Sequence, residues 1–255
     1  GCYAKCNGLN ANAEPEIYNA IKYGAVLENV VLRQDKSVDF NDISITHNTR
    51  CSYPLHHLEN VNIPAYTNKH PTDIILLVCD AFGLLPPVSK LDPKMAVYYF
   101  LLGYTCKMPG TEIGIMEPTK TFSTCFAKPF IIWKPQKYGM MLLKKIVKYK
   151  PNVWLINTGW MGEIDRKRIP LKYTRKIVDE ISKNNMNKYK YDVYPFMAVN
   201  VPVNIDGIPP EILVPCNSWK DQKQYFDNLM NLLNEFKDHF RENYGEVLLT
   251  FLMPK

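Results

Sequence analysis

Apolar runs and alternating stretches along the chain predict several β-strands. Residues 73 to 79 form a run rich in Ile, Leu and Val that ends in turn residues. Such a run predicts a central strand covered on both faces. Residues 152 to 158 predict a second buried strand. Near the N-terminus, the β-rich residues 25 to 32 and the alternating residues 37 to 45 predict a β-meander.

Apolar residues at helical spacing predict five helices between and after these strands. The predicted ranges are 14 to 23, 93 to 104, 138 to 148, 172 to 181 and 219 to 243. Residues 108 to 120 contain three Gly and Pro positions in their first seven residues and no sustained period, which predicts a mobile loop. Because helices alternate with strands, the pattern predicts an α/β fold.

The length and composition are typical of a globular protein. The chain has 255 residues, of which 46% are hydrophobic, and no internal repeat or linker divides it, so we expect one domain over residues 1 to 255. No run reaches the roughly 18 apolar residues that span a bilayer, so no membrane segment is expected. The first ten residues lack the regions of a secretion signal and no methionine precedes them, which is typical of a fragment.

Cysteine usage and charge limit the classes of function. Seven scattered cysteines, an odd number, favour reduced thiols in a cytoplasmic compartment over a disulfide framework. Cys2 and Cys6 form a CxxxC string without a second ligand pair, so we expect ordinary thiols and no metal site. The net charge of +6 suits a phosphate-bearing ligand, but it does not by itself indicate nucleic-acid binding.

The loop after the first buried strand carries candidate chemistry. The string DAFGLLPPVSKL places Asp80 and Phe82 before Gly83 and two prolines, where the chain must leave the sheet because proline lacks an N–H. Ligands of open α/β sheets collect at such strand ends. A turn that only reverses the chain is the alternative.

Basic residues occur in two further loops. Arg50 follows His47-Asn48-Thr49 and is either a solvated loop arginine or a bidentate clamp for carboxylate or phosphate. The string NTGWMG at 157 to 162 precedes basic residues at 166 to 168 and a helix entry, where an anion or a plain basic turn would both fit. No GxxxxGK[ST] string occurs, so this is not a P-loop. The histidines fit structural or solvated roles.

Taken together, these strings resemble ATP-dependent phosphoenolpyruvate carboxykinase in order and spacing along nearly all 255 residues. The strings are GCYAK (1–5), AEPEIYNAI (13–21), LENVV (27–31), NTR (48–50), DAFGLLPPVSKL (80–91), GYT (103–105), EPT with TFS (117–123), NVWLINTGW (152–160) and LKYTR (171–175). The resemblance covers the C-terminal half or so of the family's chain. It implies the C-terminal part of an α/β nucleotide-binding domain with a mixed sheet.

The resemblance also implies an activity. The family decarboxylates oxaloacetate and transfers the γ-phosphoryl group of ATP, giving phosphoenolpyruvate, CO2 and ADP in gluconeogenesis, with Mg2+ and Mn2+ as assisting metals. Such phosphoryl transfer depends chiefly on positioning and on charge neutralisation. By the resemblance, the metal ligands, the P-loop and part of the cleft belong to an N-terminal half that precedes Gly1, so we expect the fragment alone to be inactive.

Site residues follow from the resemblance. Arg50 matches the arginine that bridges the substrate and the transferring phosphate, and Lys5 matches an active-site lysine near the phosphates. Glu14 matches a carboxylate that contacts the nucleotide at its ribose hydroxyls. Residues 106 to 120 resemble the lid that excludes water. The expected adenine pocket consists of Arg168, Ile169 and Thr174.

The sequence departs from the family pattern at several positions. In the lid string, Ile113 replaces an arginine, Met116 a threonine and Lys120 a proline. The segment before Arg168 is about two residues longer than in bacterial relatives, with acids at 163 and 165, and Cys216 stands where the family has arginine. Two other interpretations stay open: a non-catalytic adenine-nucleotide-binding module, and a different phosphoryl-transfer enzyme on the same scaffold, against which the NTR and NTGW strings argue.

Overall fold

The contacts of the chain divide it into two compact units. The computed structural model describes residues 2–107, 117–162 and 167–253, with only the backbone at Cys2. Unit 1 contains residues Gly1–Lys69 and Lys107–Pro118, and unit 2 contains His70–Cys106 and Thr119–Lys255. The single domain over 1 to 255 stays a prediction. Most of the predicted lid, residues 108–116, lies outside the described residues.

Unit 1 is built on a small antiparallel sheet. Its elements are β1 (Cys2–Lys5), α1 (Pro15–Ala20), β2 (Val26–Glu28), β3 (Val31–Leu32), β4 (Val38–Asp39) and β5 (Arg50–Tyr53). Strand β5 lies between β1 and β2 and is antiparallel to both, while β3 and β4 form a separate two-stranded ribbon.

The alternation predicted over residues 37 to 45 is realised as a strand only at β4. Beyond it, Asp39 Oδ1 accepts a hydrogen bond from Asn41 N at 3.0 Å, and Asp42 Oδ1 accepts one from Ser44 N at 2.8 Å. Local bonds from Asp side chains to the backbone compete with a sheet ladder. The expected meander is therefore shorter than its apolar pattern indicates.

Unit 2 holds the larger part of the structure. Its strands are β6 (Asp73–Val78), β7 (Val88–Leu91), β8 (Tyr104–Lys107), β9 (Thr119–Phe122), β10 (Asn152–Asn157), β11 (Trp160–Met161), β12 (Lys167–Arg168), β13 (Tyr191–Val193) and β14 (Asn200–Pro202). Its helices are α2 (Pro93–Leu102), α3 (Pro135–Tyr149), α4 (Leu171–Ser182), α5 (Pro210–Leu213), α6 (Gln222–Tyr244) and α7 (Glu246–Leu252). The five predicted helices are all present, the first as α1 in unit 1.

The main sheet of unit 2 is mixed and has the strand order β13-β14-β7-β10-β6. Strand β10 is parallel to β6 on one side and antiparallel to β7 on the other. This arrangement confirms the prediction of an α/β fold with a mixed sheet. The prediction that residues 73 to 79 form a central, covered strand is wrong: β6 is an end strand of this sheet, and Leu77 is 57% exposed.

Strand β10 is buried on both faces. Val153 and Leu155 belong to a core shared with α2, α3, α6 and α7, whereas Trp154 and Ile156 belong to a second core shared with α4. Because successive side chains of a strand point to opposite faces, one strand can serve two cores. The residues after β10 are therefore held by a rigid support.

Helix α2 begins and ends at residues suited to those positions. The Asp92 side chain accepts hydrogen bonds from Lys94 N at 2.7 Å and Met95 N at 2.8 Å, which caps the helix start. Gly103 ends the helix with φ of 57°, and a Cβ there would lie 1.8 Å from Ser123 O. Only glycine fits this close approach.

Candidate functional site

In unit 1, Lys5 and Arg50 lie side by side on one face of the small sheet. The register pairs Lys5 with Arg50, and Arg50 with Glu28 on the other neighbouring strand. The alternation of side chains adds Tyr3 and Ser52 to the same face. We call these five residues, Tyr3, Lys5, Glu28, Arg50 and Ser52, the Arg50 face.

The opposite face of this sheet is apolar and fixes the strands. Cys51 and Tyr53 are buried there, together with Cys6, Leu9 and Ala20. Burial raises the pKa of the Cys51 thiol to about 11, so this thiol is neutral at physiological pH. The charged face therefore lies over an uncharged support.

The Arg50 side chain is oriented by two neighbours. Its Nε donates a hydrogen bond to Asn48 Oδ1 at 3.0 Å, and its Cζ lies 5.7 Å from the centre of the Tyr3 ring. The backbone carbonyl of Asn48 accepts a bond from Asn29 Nδ2 at 3.2 Å. Among the described residues of unit 1, no acceptor binds the two terminal nitrogens of Arg50. These nitrogens form the planar fork that suits carboxylate and phosphate oxygens.

Glu14 lies immediately before α1, apart from the sheet strands. Its backbone carbonyl accepts a hydrogen bond from Tyr18 N at 3.0 Å, and its carboxylate does not cap the helix. The side chain is half-buried. No described contact joins Glu14 to Lys5 or Arg50, so the structure brings two of the three site residues predicted in unit 1 together.

In unit 2, the residues predicted for an adenine pocket line one cavity. Arg168, Ile169 and Thr174 surround a space of about 390 Å³. Among the described residues, the lining consists of Thr158, Arg168, Ile169, Pro170, Leu171 and Thr174. The lining therefore joins the end of the β11–β12 hairpin to the first turn of α4, and it combines apolar surface with one guanidinium and two hydroxyl groups.

Backbone and aromatic contacts hold this cavity in shape. Ile169 N donates to Gly159 O at 2.8 Å, and Arg168 Nε donates to Thr158 O at 3.0 Å. The Arg168 guanidinium also lies 5.7 Å from the centre of the Trp160 ring. Because Nε is already bonded, the terminal nitrogens of Arg168 are the groups that a ligand could contact.

The loop of residues 79–87, which we call the Asp80 loop, is held together by hydrogen bonds to the Asp80 side chain. Asp80 is fully buried, and its carboxylate accepts bonds from Phe82 N, Leu84 N, Leu85 N and the Tyr104 hydroxyl at 2.6 to 3.0 Å. Burial raises the pKa of Asp80 above its usual value, although these donors act in the opposite direction. The oxygens of Asp80 are thus occupied within the protein.

Asn157 joins the Asp80 loop to the end of β10. Its Oδ1 accepts bonds from Asp80 N and Gly159 N, both at 2.9 Å, and its Nδ2 donates to Leu85 O at 2.8 Å. A Cβ at Gly159 would lie 2.0 Å from Asp80 O, so glycine is required by this close approach. The loop therefore supports the segment that leads to the cavity.

Two residues near Arg50 were not predicted from the sequence as part of the site: Tyr3 and Glu28. A sequence signal was present for Tyr3, because alternation along β1 places it on the face of Lys5. No such signal was present for Glu28, because the pairing of β2 with β5 could not be derived. Of the departures from the family pattern, Lys120 forms an ion pair with Glu235 at 2.6 Å. Positions 113, 116, 163 and 165 lie outside the described residues.

Metal-ligand clusters and membrane-spanning helices are both absent from the described residues 2–107, 117–162 and 167–253. No group of three or more His, Cys, Asp or Glu side chains is placed to hold a metal ion there. No helix in these ranges is long and apolar enough to cross a bilayer. None of the six cysteines with described side chains forms a disulfide.

These features define an α/β protein with a mixed sheet and two clusters suited to anionic ligands. Comparison with known proteins identifies its family. A profile described as phosphoenolpyruvate carboxykinase matches residues 1–211. The chain therefore belongs to the phosphoenolpyruvate carboxykinase family.

Curated relatives agree with this assignment. Phosphoenolpyruvate carboxykinase (ATP) of Dictyostelium discoideum is 49% identical over 248 residues, which cover 95% of this chain and 43% of that protein. The Arabidopsis thaliana relative, phosphoenolpyruvate carboxykinase (ATP) 1, is 48% identical over 94% of this chain and 36% of its own length. The Saccharomyces cerevisiae relative is 46% identical, with coverages of 94% and 45%. The chain thus spans about two fifths of the length of these relatives.

Proposed function

We propose that this chain is the C-terminal, nucleotide-binding part of an ATP-dependent phosphoenolpyruvate carboxykinase. The whole enzyme would decarboxylate oxaloacetate and phosphorylate the resulting enolate, giving phosphoenolpyruvate, CO2 and ADP. This activity makes it a lyase of gluconeogenesis. The names of the relatives support the proposal, since they are phosphoenolpyruvate carboxykinase (ATP). The reduced state of the described cysteines supports a cytoplasmic location.

The observation that carries the nucleotide assignment is the convergence of Arg168, Ile169 and Thr174 on one cavity. The apolar surface of Ile169 and its neighbouring proline and leucine suits a flat base. Thr174 supplies a hydroxyl that can donate or accept, and Arg168 supplies donors. In unit 1, Glu14 is assigned by the resemblance to nucleotide ribose hydroxyls, because a carboxylate accepts bonds from hydroxyl groups.

The Arg50 face is the proposed phosphate-binding surface. Arg50 would hold a carboxylate or phosphate through its terminal nitrogens, and Lys5 would supply a second positive charge beside it. Positive charge placed where negative charge develops lowers the barrier of phosphoryl transfer. ATP supplies the transferred group, and Mg2+ and Mn2+ would be held by residues of the family's N-terminal half.

Titration of the chain with ATP tests the nucleotide assignment. We expect Arg168→Ala and Thr174→Val each to weaken ATP binding about five- to tenfold, because each removes hydrogen bonds worth about 1 kcal/mol or more. Arg175→Ala, an exposed arginine on the same helix, is the matched control. Equal affinities for all four proteins would refute the assignment of the cavity.

The reaction itself is tested on the full-length enzyme. We expect oxaloacetate-dependent ADP formation from the full-length protein and none from the 255-residue chain. In the full-length protein, Arg50→Ala should lower kcat at least a hundredfold, on the order of the loss seen when one electrostatic donor is removed from an active site. A kcat that barely changes would show that the role assigned to Arg50 is wrong.

A further inference from the structure

Tyr3 contacts two of the three charged side chains of the Arg50 face, Glu28 and Arg50. Its hydroxyl donates a hydrogen bond to Glu28 Oε2 at 2.7 Å, and its ring faces the Arg50 guanidinium at 5.7 Å. This hydrogen bond raises the pKa of the Tyr3 hydroxyl above its usual value. Tyr3 itself is 61% exposed, so these contacts are made on the surface of the sheet and not in a core.

The strand register places the Glu28 and Arg50 side chains next to each other. Glu28 is the direct cross-strand partner of Arg50, and side chains in such pairs start about 4.5–5.5 Å apart at Cβ. Opposite charges at this separation ordinarily attract each other. No ion pair joins Glu28 to Arg50, both of which the structure describes, and the Glu28 carboxylate accepts a hydrogen bond from the Tyr3 hydroxyl.

An anion would compete with Glu28 for the same donors. The two terminal nitrogens of Arg50 can bind two oxygens of one phosphate or carboxylate group. If Glu28 occupied them, an incoming anion would have to displace it and would meet a neutralised site. A device that keeps Glu28 away from Arg50 therefore bears directly on anion binding.

We propose that Tyr3 is a positioning residue that keeps Arg50 available to phosphate-bearing anions. Its hydroxyl retains the Glu28 carboxylate, and its ring orients the guanidinium through a cation–π contact. Asn48 fixes Nε of the same guanidinium, so the terminal nitrogens are the part left for a ligand. The inference rests on the proposed role of Arg50 as a phosphate-binding residue.

The test uses inorganic pyrophosphate as the probe and the 255-residue chain as the protein. Binding is followed by NMR at the Arg50 side-chain Nε–Hε signal. Tyr3→Phe should weaken pyrophosphate binding about two- to fivefold, because it keeps the ring and frees Glu28 to pair with Arg50. Glu28→Gln alone should leave binding equal or tighter. The double variant Tyr3→Phe with Glu28→Gln should recover the affinity of Glu28→Gln.

Two further variants complete the design. Tyr23→Phe removes a hydroxyl from a fully exposed tyrosine and should change nothing. Tyr3→Leu also removes the ring, so its affinity should fall about two- to fivefold below that of Tyr3→Phe. A purely structural role of Tyr3 would give losses that Glu28→Gln does not rescue.

The outcomes separate this inference from the proposed function. Unchanged affinity in Tyr3→Phe, a loss that Glu28→Gln does not restore, or wild-type pyrophosphate binding that Arg50→Ala does not weaken would each overturn the inference. A full-length protein without oxaloacetate-dependent ADP formation would instead overturn the proposed function, and the rescue by Glu28→Gln would still hold.

Discussion

The Asp80 loop and the Arg50 face both carry charge in strings typical of the family, but the two regions treat that charge in opposite ways. Asp80 is fully buried and accepts four hydrogen bonds from its own protein. Arg50 is half-buried, and one of its three nitrogens is bonded within the described part of unit 1. The difference separates a charge that builds the fold from a charge that is available to a ligand.

Among the substitutions that test this contrast, we expect the largest loss of stability at Asp80. Asp80→Asn places an NH2 group among three backbone N–H donors and the Tyr104 hydroxyl, so buried donors lose their acceptor. We expect the free energy of unfolding to fall by about 3–5 kcal/mol. Urea denaturation measures this loss, with the exposed Asp192→Asn as control. A loss under 1 kcal/mol would contradict the structural role.

The next effect is at Asn157, which joins the loop to β10. Asn157→Ala removes three hydrogen bonds within a buried site. We expect a loss of about 2–3 kcal/mol in the free energy of unfolding. The exposed Asn12→Ala is the matched control and should stay within about 0.5 kcal/mol of wild type. Equal denaturation midpoints for both variants would mean that the network adds nothing.

A second buried acid, Glu180, has charged lysine partners, whereas the hydrogen-bond partners of Asp80 are neutral. Glu180 is 4% exposed, and its hydrogen bond from Lys176 lowers its pKa to about 2, with further bonds from Tyr189 and Lys188. Because its folded pKa is lower than its unfolded value, its contribution is present above pH 4.5 and is lost as the pH falls towards 2.

Glu180→Gln should therefore cost about 1–2 kcal/mol at pH 7, after allowance for the half-exposed lysines, and much less near pH 2. At Asp80 the dependence of stability on pH has the opposite direction. Because its folded pKa is raised, stability increases as the pH falls from that pKa towards 3.8. Denaturation of both variants from pH 2 to 7 distinguishes the two acids. Parallel pH profiles would show that their environments do not differ as described.

The sequence predicted the elements better than their places in the sheet. The five helices and the strand at 152 to 157 follow from the apolar pattern of the sequence. The edge position of β6 and the return of the chain as β7 did not follow, because apolar content does not specify which strands pair. Strand β7 is only four residues long, which is too short to show a clear period.

The site was predicted in part for similar reasons. The strings around Arg50 and Arg168 could be located, and the structure places Lys5 beside Arg50 and Arg168 beside Ile169 and Thr174. The contribution of Tyr3 and Glu28 depends on strand register, which sets neighbours across 25 residues of sequence. No local pattern encodes a contact of that kind.

Arg50→Ala in the 255-residue chain tests the central contrast most directly. Pyrophosphate affinity and the free energy of unfolding are measured on the same samples. Because the terminal nitrogens of Arg50 serve a ligand more than the fold, we expect affinity to fall at least about tenfold. We expect stability to stay within about 0.5 kcal/mol of wild type. Unchanged affinity together with a loss of several kcal/mol in stability would show that Arg50, like Asp80, is a structural charge.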